Sequence, residues 1–143
     1  MWPASFFLVD QSLKMLRMAK SRLIKQNGSV PDHLIFLHSD ALLLPFQENA
    51  FTTILSENLL HCLSDTSILL KQLKTILSKN GKIYFTTLVK NNRFADKYLE
   101  ALAKSGKLIS RTLADHKEIF EQVGLAAKCE TMGSILLIQS VIS

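Results

Sequence analysis

Cysteine, glycine and proline are scarce in this sequence, and each scarcity removes a class of protein. Cys62 and Cys129 are the only cysteines, and two isolated thiols without ligand spacing supply neither a disulfide framework nor a cysteine metal site. They read as reduced, partly buried thiols, which sets the expectation of a cytoplasmic protein. His33 and His38 bracket a strand without metal-ligand spacing, so no metal is assigned. With 5 Gly and 3 Pro among 143 residues, collagenous and low-complexity classes are excluded. No apolar run approaches the ~18 residues of a membrane-spanning helix. The opening MWPASFFLVD has no basic leader, and its run from Phe6 to Val9 is too short for a signal-peptide core.

What is present suits a globular chain. An apolar fraction of 48% against 20% charged residues is ordinary for one domain, and 143 residues can bury a sizeable core. The formal charge is +5, and much of the excess lies in one segment. Lys14, Arg17, Lys20, Arg22 and Lys25 occur with no acid between Gln11 and Val30. That segment reads first as the solvated face of an amphipathic helix and second as a patch for an anionic partner. Aromatic residues for base stacking are not interleaved with it, so no strong nucleic-acid signal arises.

Strand and helix patterns alternate along the chain. Phe6 to Val9 predicts a short buried strand ending at Asp10. Ser12 is placed to cap a helix carrying Leu13, Leu16, Ala19, Leu23 and Ile24 at helical spacing, and Asn27-Gly28 closes it. Leu34 to Leu37 is an apolar run of the kind covered on both faces of a sheet. Ala50 to Leu55 predicts a third strand. After SENLLHCLSD comes a helix with Leu69, Leu70, Leu73, Ile76 and Leu77 on one stripe, capped by Ser64 or Asp65 and stopped by Asn80-Gly81. Lys82 to Val89 predicts a fourth strand, Phe94 to Leu102 a helix broken by Ser105-Gly106, and Leu113 to Val123 another. Ala126 to Glu130 and Ser134 to Val141 are close enough to form an antiparallel hairpin. The order predicts an α/β fold with a mostly parallel sheet finishing in that hairpin.

Chemistry concentrates after the second strand. Asp40 sits just past its carboxyl end, the edge of an open α/β sheet where ligands bind. Leu42, Leu43 and Leu44 supply an apolar wall, and Pro45 ends any helix there. An acceptor beside an apolar wall suits a flat heteroaromatic base with an exocyclic amine, although a turn-capping role for Asp40 is the plainer reading.

Four segments together, LVDQSLKMLRMAK, HSDALLLPFQENAF, ENLLHCL and LKTILSKNGKIYFTTL, stand in the order and spacing of a known family. The chain resembles the class I S-adenosylmethionine-dependent methyltransferases of the small-domain type, methyltransferase type 11, over nearly its whole length. The resemblance implies a Rossmann-like fold and methyl transfer to a small-molecule acceptor. It also implies that Asp10 holds the two ribose hydroxyls of the cofactor and Asp40 accepts from the adenine amino group. The backbone N–H of Ala41 would meet a ring nitrogen, and Leu42 and Leu59 would lie against the adenine faces. Gln11, where relatives carry an apolar residue against adenine, completes the cofactor set.

His61 is the one candidate for catalysis, as a general base near neutral pH with Glu57 orienting it from one helical turn away. The alternative is that it packs or caps the following helix. Methyl transfer can proceed largely by aligning a nucleophile with an activated methyl group, so a base is not obligatory. Leu88, Val89, Lys90 and Arg93 fall near the same edge and read as a solvated loop or a substrate wall.

The family's first strand and its glycine-rich turn have no counterpart in this sequence. In the family that strand lies mid-sheet, between the second and fourth, and its loss would leave two inner strands with open edges. Three resolutions follow: those strands pair directly, a partner chain fills the gap, or the sequence is a fragment, which is the preferred reading. A single domain over residues 1–143, retaining the adenosine half of the site, is the expectation. The alternative is a non-catalytic methyltransferase-like partner or scaffold module. A nicotinamide dinucleotide dehydrogenase is a weaker third, disfavoured by Asp40 with ALLLPF and by the final hairpin.

Overall fold

A computed structural model describes residues 5–91 and 93–142. The chain divides into two compact units, residues 1–45 and residues 46–143.

In the first unit, β1 (Phe6–Asp10), α1 (Leu13–Asn27) and β2 (Leu34–His38) form a strand, helix, strand arrangement. β1 and β2 are parallel and in register, Phe6 opposite Leu34 and Asp10 opposite His38. Ser12 caps α1, its side chain accepting from the Met15 amide. Gly28 closes the helix at φ 80°, and its N–H reaches the Ile24 carbonyl at 2.8 Å. A residue without a Cβ enters the left-handed region at least cost. The expectation of strands covered on both faces is corrected here. Phe6 is 60% exposed and Ile35 41%, and within the first unit it is α1 that packs on this two-stranded sheet. The opening residues 1–4, read above for a leader, lie outside the described residues.

The second unit holds β3 (Phe51–Glu57), a short 3-10 turn (Leu60–Cys62), α2 (Thr66–Ile76), β4 (Leu77–Leu88), α3 (Arg93–Lys104), α4 (Leu113–Gln122), β5 (Ala127–Met132) and β6 (Ile135–Val141). The sheet order is β3-β4-β6-β5, with β3 parallel to β4 and the other two pairs antiparallel. The hairpin joins β5 to β6 through Gly133 at φ 62°. Alternation along the strands sorts the sheet into two faces. Ile83, Phe85 and Thr87 of β4 and Leu136, Ile138 and Ser140 of β6 are buried. β4 packs on α2, whose stripe Leu69, Leu70, Leu73 and Ile76 is buried, and the Phe120 ring of α4 meets Phe85 edge-on at 5.3 Å. On the opposite face Leu55, Ile135, Leu137 and Val141 are exposed.

α2 stops at Ile76, earlier than Asn80-Gly81, because Leu77 is already extended and pairs with Phe51. The segment from Leu77 to Gly81 then bulges, with Asn80 left-handed at φ 62°, before regular pairing resumes at Lys82 opposite Thr53. Among the described residues β1 pairs with β2 in the first unit and β3 with β4 in the second. No helix of the described residues is long and apolar enough to cross a membrane.

Candidate active site

In the first unit the structure brings Asp10 and Asp40 to the carboxyl edge of the same parallel pair. Asp10 is the last residue of β1, and its carbonyl accepts from the Ser39 amide at 3.2 Å. Its Oδ1 accepts from the Ser12 amide at 2.7 Å, fixing the carboxylate where the chain enters α1. Asp40 does the same one strand away, its Oδ1 accepting from the Leu42 amide at 2.9 Å while its carbonyl accepts from the Leu43 amide at 3.0 Å. The turn role foreseen for Asp40 is therefore present. It uses one carboxylate oxygen of each aspartate, and the second oxygen makes no hydrogen bond among the described residues. Gln11 is exposed, and its carbonyl is tied to His38 Nε2 at 2.9 Å. Leu42 and Leu44 are half-buried, but Leu43 is 74% exposed, so the apolar wall is two leucines rather than three.

In the second unit Leu59 and His61 lie in the turn after β3, both half-buried. His61 Nδ1 is 3.1 Å from Thr87 Oγ1 and accepts from the Leu88 amide at 3.3 Å. A backbone N–H can only donate, so Nδ1 is the acceptor and the ring proton sits on Nε2. Burial lowers the His61 pKa and keeps the ring neutral. The expected partnership with Glu57 is corrected: Glu57 ends strand β3 rather than standing on a helical turn, is exposed, and makes no hydrogen bond to His61.

Sequence reasoning missed what holds this turn. The guanidinium of Arg111, 9% exposed, donates to the carbonyls of Leu60 at 2.9 Å, Leu63 at 2.7 Å and Ser64 at 3.0 Å. The Ile109 amide donates to the His61 carbonyl at 2.7 Å. Next to Arg111, Thr112 and Asp115 form a reciprocal capping box that starts α4. His116 on that first turn is 1% exposed, and its Nε2 has no partner among the described residues. Burial lowers its pKa to about 4, helped by the Arg111 charge and opposed by Asp115 and a hydrogen bond to the Leu88 backbone. The T-x-x-D pattern of the capping box was a readable signal. Arg111 gave none, since its acceptors are 47 to 51 residues distant.

A family profile described as "Methyltransferase domain" matches residues 2–85. The chain belongs to that methyltransferase family. Its fold is the Rossmann-like fold of the class I S-adenosylmethionine-dependent methyltransferases. The partner of the Trm112 methyltransferase activator in a Haloferax volcanii complex superposes with TM-score 0.80 at 18% identity, over 96% of this chain and 72% of that one. The YcgJ protein of Bacillus subtilis gives TM-score 0.76 at 14% identity, over 96% and 82%. Geranyl diphosphate C-methyltransferase from Streptomyces coelicolor, in complex with Mg2+, geranyl diphosphate and S-adenosyl-L-homocysteine, gives 0.80 at 13% identity, over 98% of this chain and 63% of its own. No curated protein matches the sequence. Of the candidate residues named from the sequence, Asp10, Gln11, Asp40, Ala41 and Leu42 belong to the first unit and Leu59 and His61 to the second. The side chain of Arg93 lies outside the described residues.

Proposed function

We propose that this methyltransferase domain takes S-adenosylmethionine by its adenosine half along the edge formed by Asp10 and Asp40, and serves methyl transfer to a small-molecule acceptor. The observation that carries the reading is the shared edge of two carboxylates on adjacent parallel strands, each committed to its own turn through one oxygen only. That donor set fits the group. A carboxylate accepts two hydroxyls at a ribose in charge-assisted bonds, and a second one two residues past the neighbouring strand meets an exocyclic amine. Leu42 supplies apolar contact to a flat ring, the Ala41 N–H a donor to a ring nitrogen, and Gln11 a polar contact at the strand end. The methionine half is a different matter. Four of the five glycines stand in left-handed turns and the fifth lies within β4, so no described residue belongs to a glycine-rich strand-to-helix turn.

Bound S-adenosylmethionine supplies an activated sulfonium methyl group, and the protein's task is alignment. His61 offers its Nε2–H as a donor to an acceptor oxygen. Residues 1–143 act as one methyltransferase-like domain in a reducing cytoplasm, in keeping with the free thiols of Cys62 and Cys129. A second role, acceptance of a strand from a partner chain by the two-stranded or the four-stranded sheet, stands beside the first. Isothermal titration with S-adenosyl-L-homocysteine tests the main reading. Asp10→Ala and Asp40→Ala are each expected to weaken binding by about 1 to 3 kcal/mol, and unchanged affinity in both variants overturns it.

A further inference from the structure

The basic segment that sequence reading assigned first to a solvated face is an unobstructed row of cations in the structure. α1 carries Lys14, Arg17, Lys20, Arg22 and Lys25 and no acid. Its apolar residues Leu16, Ala19 and Leu23 are buried or half-buried, and the helix packs against β1 and β2. At about 3.6 residues per turn, Lys14, Arg17, Ser21, Arg22 and Lys25 fall on the opposite side, with Met18 among them, and all six are exposed. Side chains of that row enclose a shallow concavity of about 440 Å³ lined by Lys14, Arg17, Met18, Ser21 and Arg22. None of these cations takes part in an ion pair among the described residues. From Lys14 to Lys25 the row extends about 16 Å along the axis at ~1.5 Å per residue. A duplex strand presents a phosphate every ~3.4 Å along its axis, so several phosphates face the row at once.

We propose that the exposed face of α1 binds the phosphodiester backbone of a double-stranded nucleic acid. Three observations choose this polyanion. An interfacial membrane helix lowers one continuous apolar face into the bilayer. Here Leu16, Ala19 and Leu23 are buried or half-buried, and the exposed Leu13 and Ile24 flank the cationic row on one side and Met15 on the other. Single strands are held by stacking on aromatic side chains, and α1 has none. What remains is a row of cations with Met18 and Ser21 among them, which reads phosphates and carries no base specificity.

The test is fluorescence anisotropy of a labelled DNA duplex of about 20 base pairs titrated with the whole chain. With four phosphate contacts, log K falls with log salt at a slope near −3.6, about a 150-fold loss between roughly 50 and 200 mM. The combined variant Lys14→Gln, Arg17→Gln, Arg22→Gln, Lys25→Gln is expected to lose at least about 100-fold at the lower salt and to keep the melting temperature. Lys104→Gln with Lys107→Gln, exposed cations of the second unit, is expected to bind as the parent does. Should the combined variant fail to fold, each single variant is expected to lower the slope by about 0.9. Absence of duplex binding, equal binding by the substituted and parent chains, or binding confined to phosphatidylserine vesicles overturns the proposal.

Discussion

His61 and Thr87 are joined through one ring nitrogen, Nδ1 standing 3.1 Å from the Thr87 hydroxyl and also accepting from the Leu88 amide. The turn after β3 is thereby fastened to the end of β4. Thr87→Val removes the hydroxyl from a fully buried position while keeping its shape. A loss of about 1 kcal/mol in urea denaturation is expected, the scale of one neutral hydrogen bond.

Arg111 carries more, because its guanidinium satisfies three backbone carbonyls of the same turn. Arg111→Met leaves them without that partner and is expected to cost roughly 3 kcal/mol. Hydrogen exchange localises the effect: amides from Leu59 to Ser64 lose protection, while those of β6 exchange as before.

Stability is expected to fall as pH drops from about 6.5 towards 4, with His116 the main cause and His61, also lowered by burial, acting in the same direction. The folded His116 pKa of about 4 lies below the ordinary 6.5. The unfolded chain therefore binds the proton first, and the folded state loses free energy through that window. Denaturation midpoints at pH 7 and pH 5 measure the slope, and His116→Gln is expected to flatten it. An unchanged slope assigns the pH dependence to other groups.

The capping box gives a simpler expectation. Thr112→Ala removes the hydroxyl that accepts from the Asp115 amide and is expected to cost about 1 kcal/mol by thermal denaturation.

Local signals made much of this fold readable. Ser12, Asp65 and Gly28 mark helix ends by chemistry that acts within a turn, and each does so in the structure. The leucine stripe of α2 and the closing hairpin follow from periodicity in the same way. What escaped depends on distant partners. Leu77 extends because Phe51 pairs with it, which no local propensity announces. Glu57 and His61 stand at helical spacing, yet the first belongs to a strand held by β4. The apolar run of β2 reads as doubly covered because its composition records hydrophobicity and not the neighbours that bury it. Among the candidate residues, the strand-end places of Asp10 and Asp40 were legible. The Arg111 clamp was not, since an arginine in a loop carries no mark of the carbonyls it will meet.

The most direct test of the cofactor edge is an amide chemical-shift titration of the isotopically labelled chain with adenosine. The expected result is saturable shifts at Ser12, Ala41 and Leu42, weakened in both Asp10→Ala and Asp40→Ala. Shifts confined to residues 46–143, or none at the Asp10 and Asp40 turns, would contradict the placement of the nucleoside on the carboxyl edge of β1 and β2.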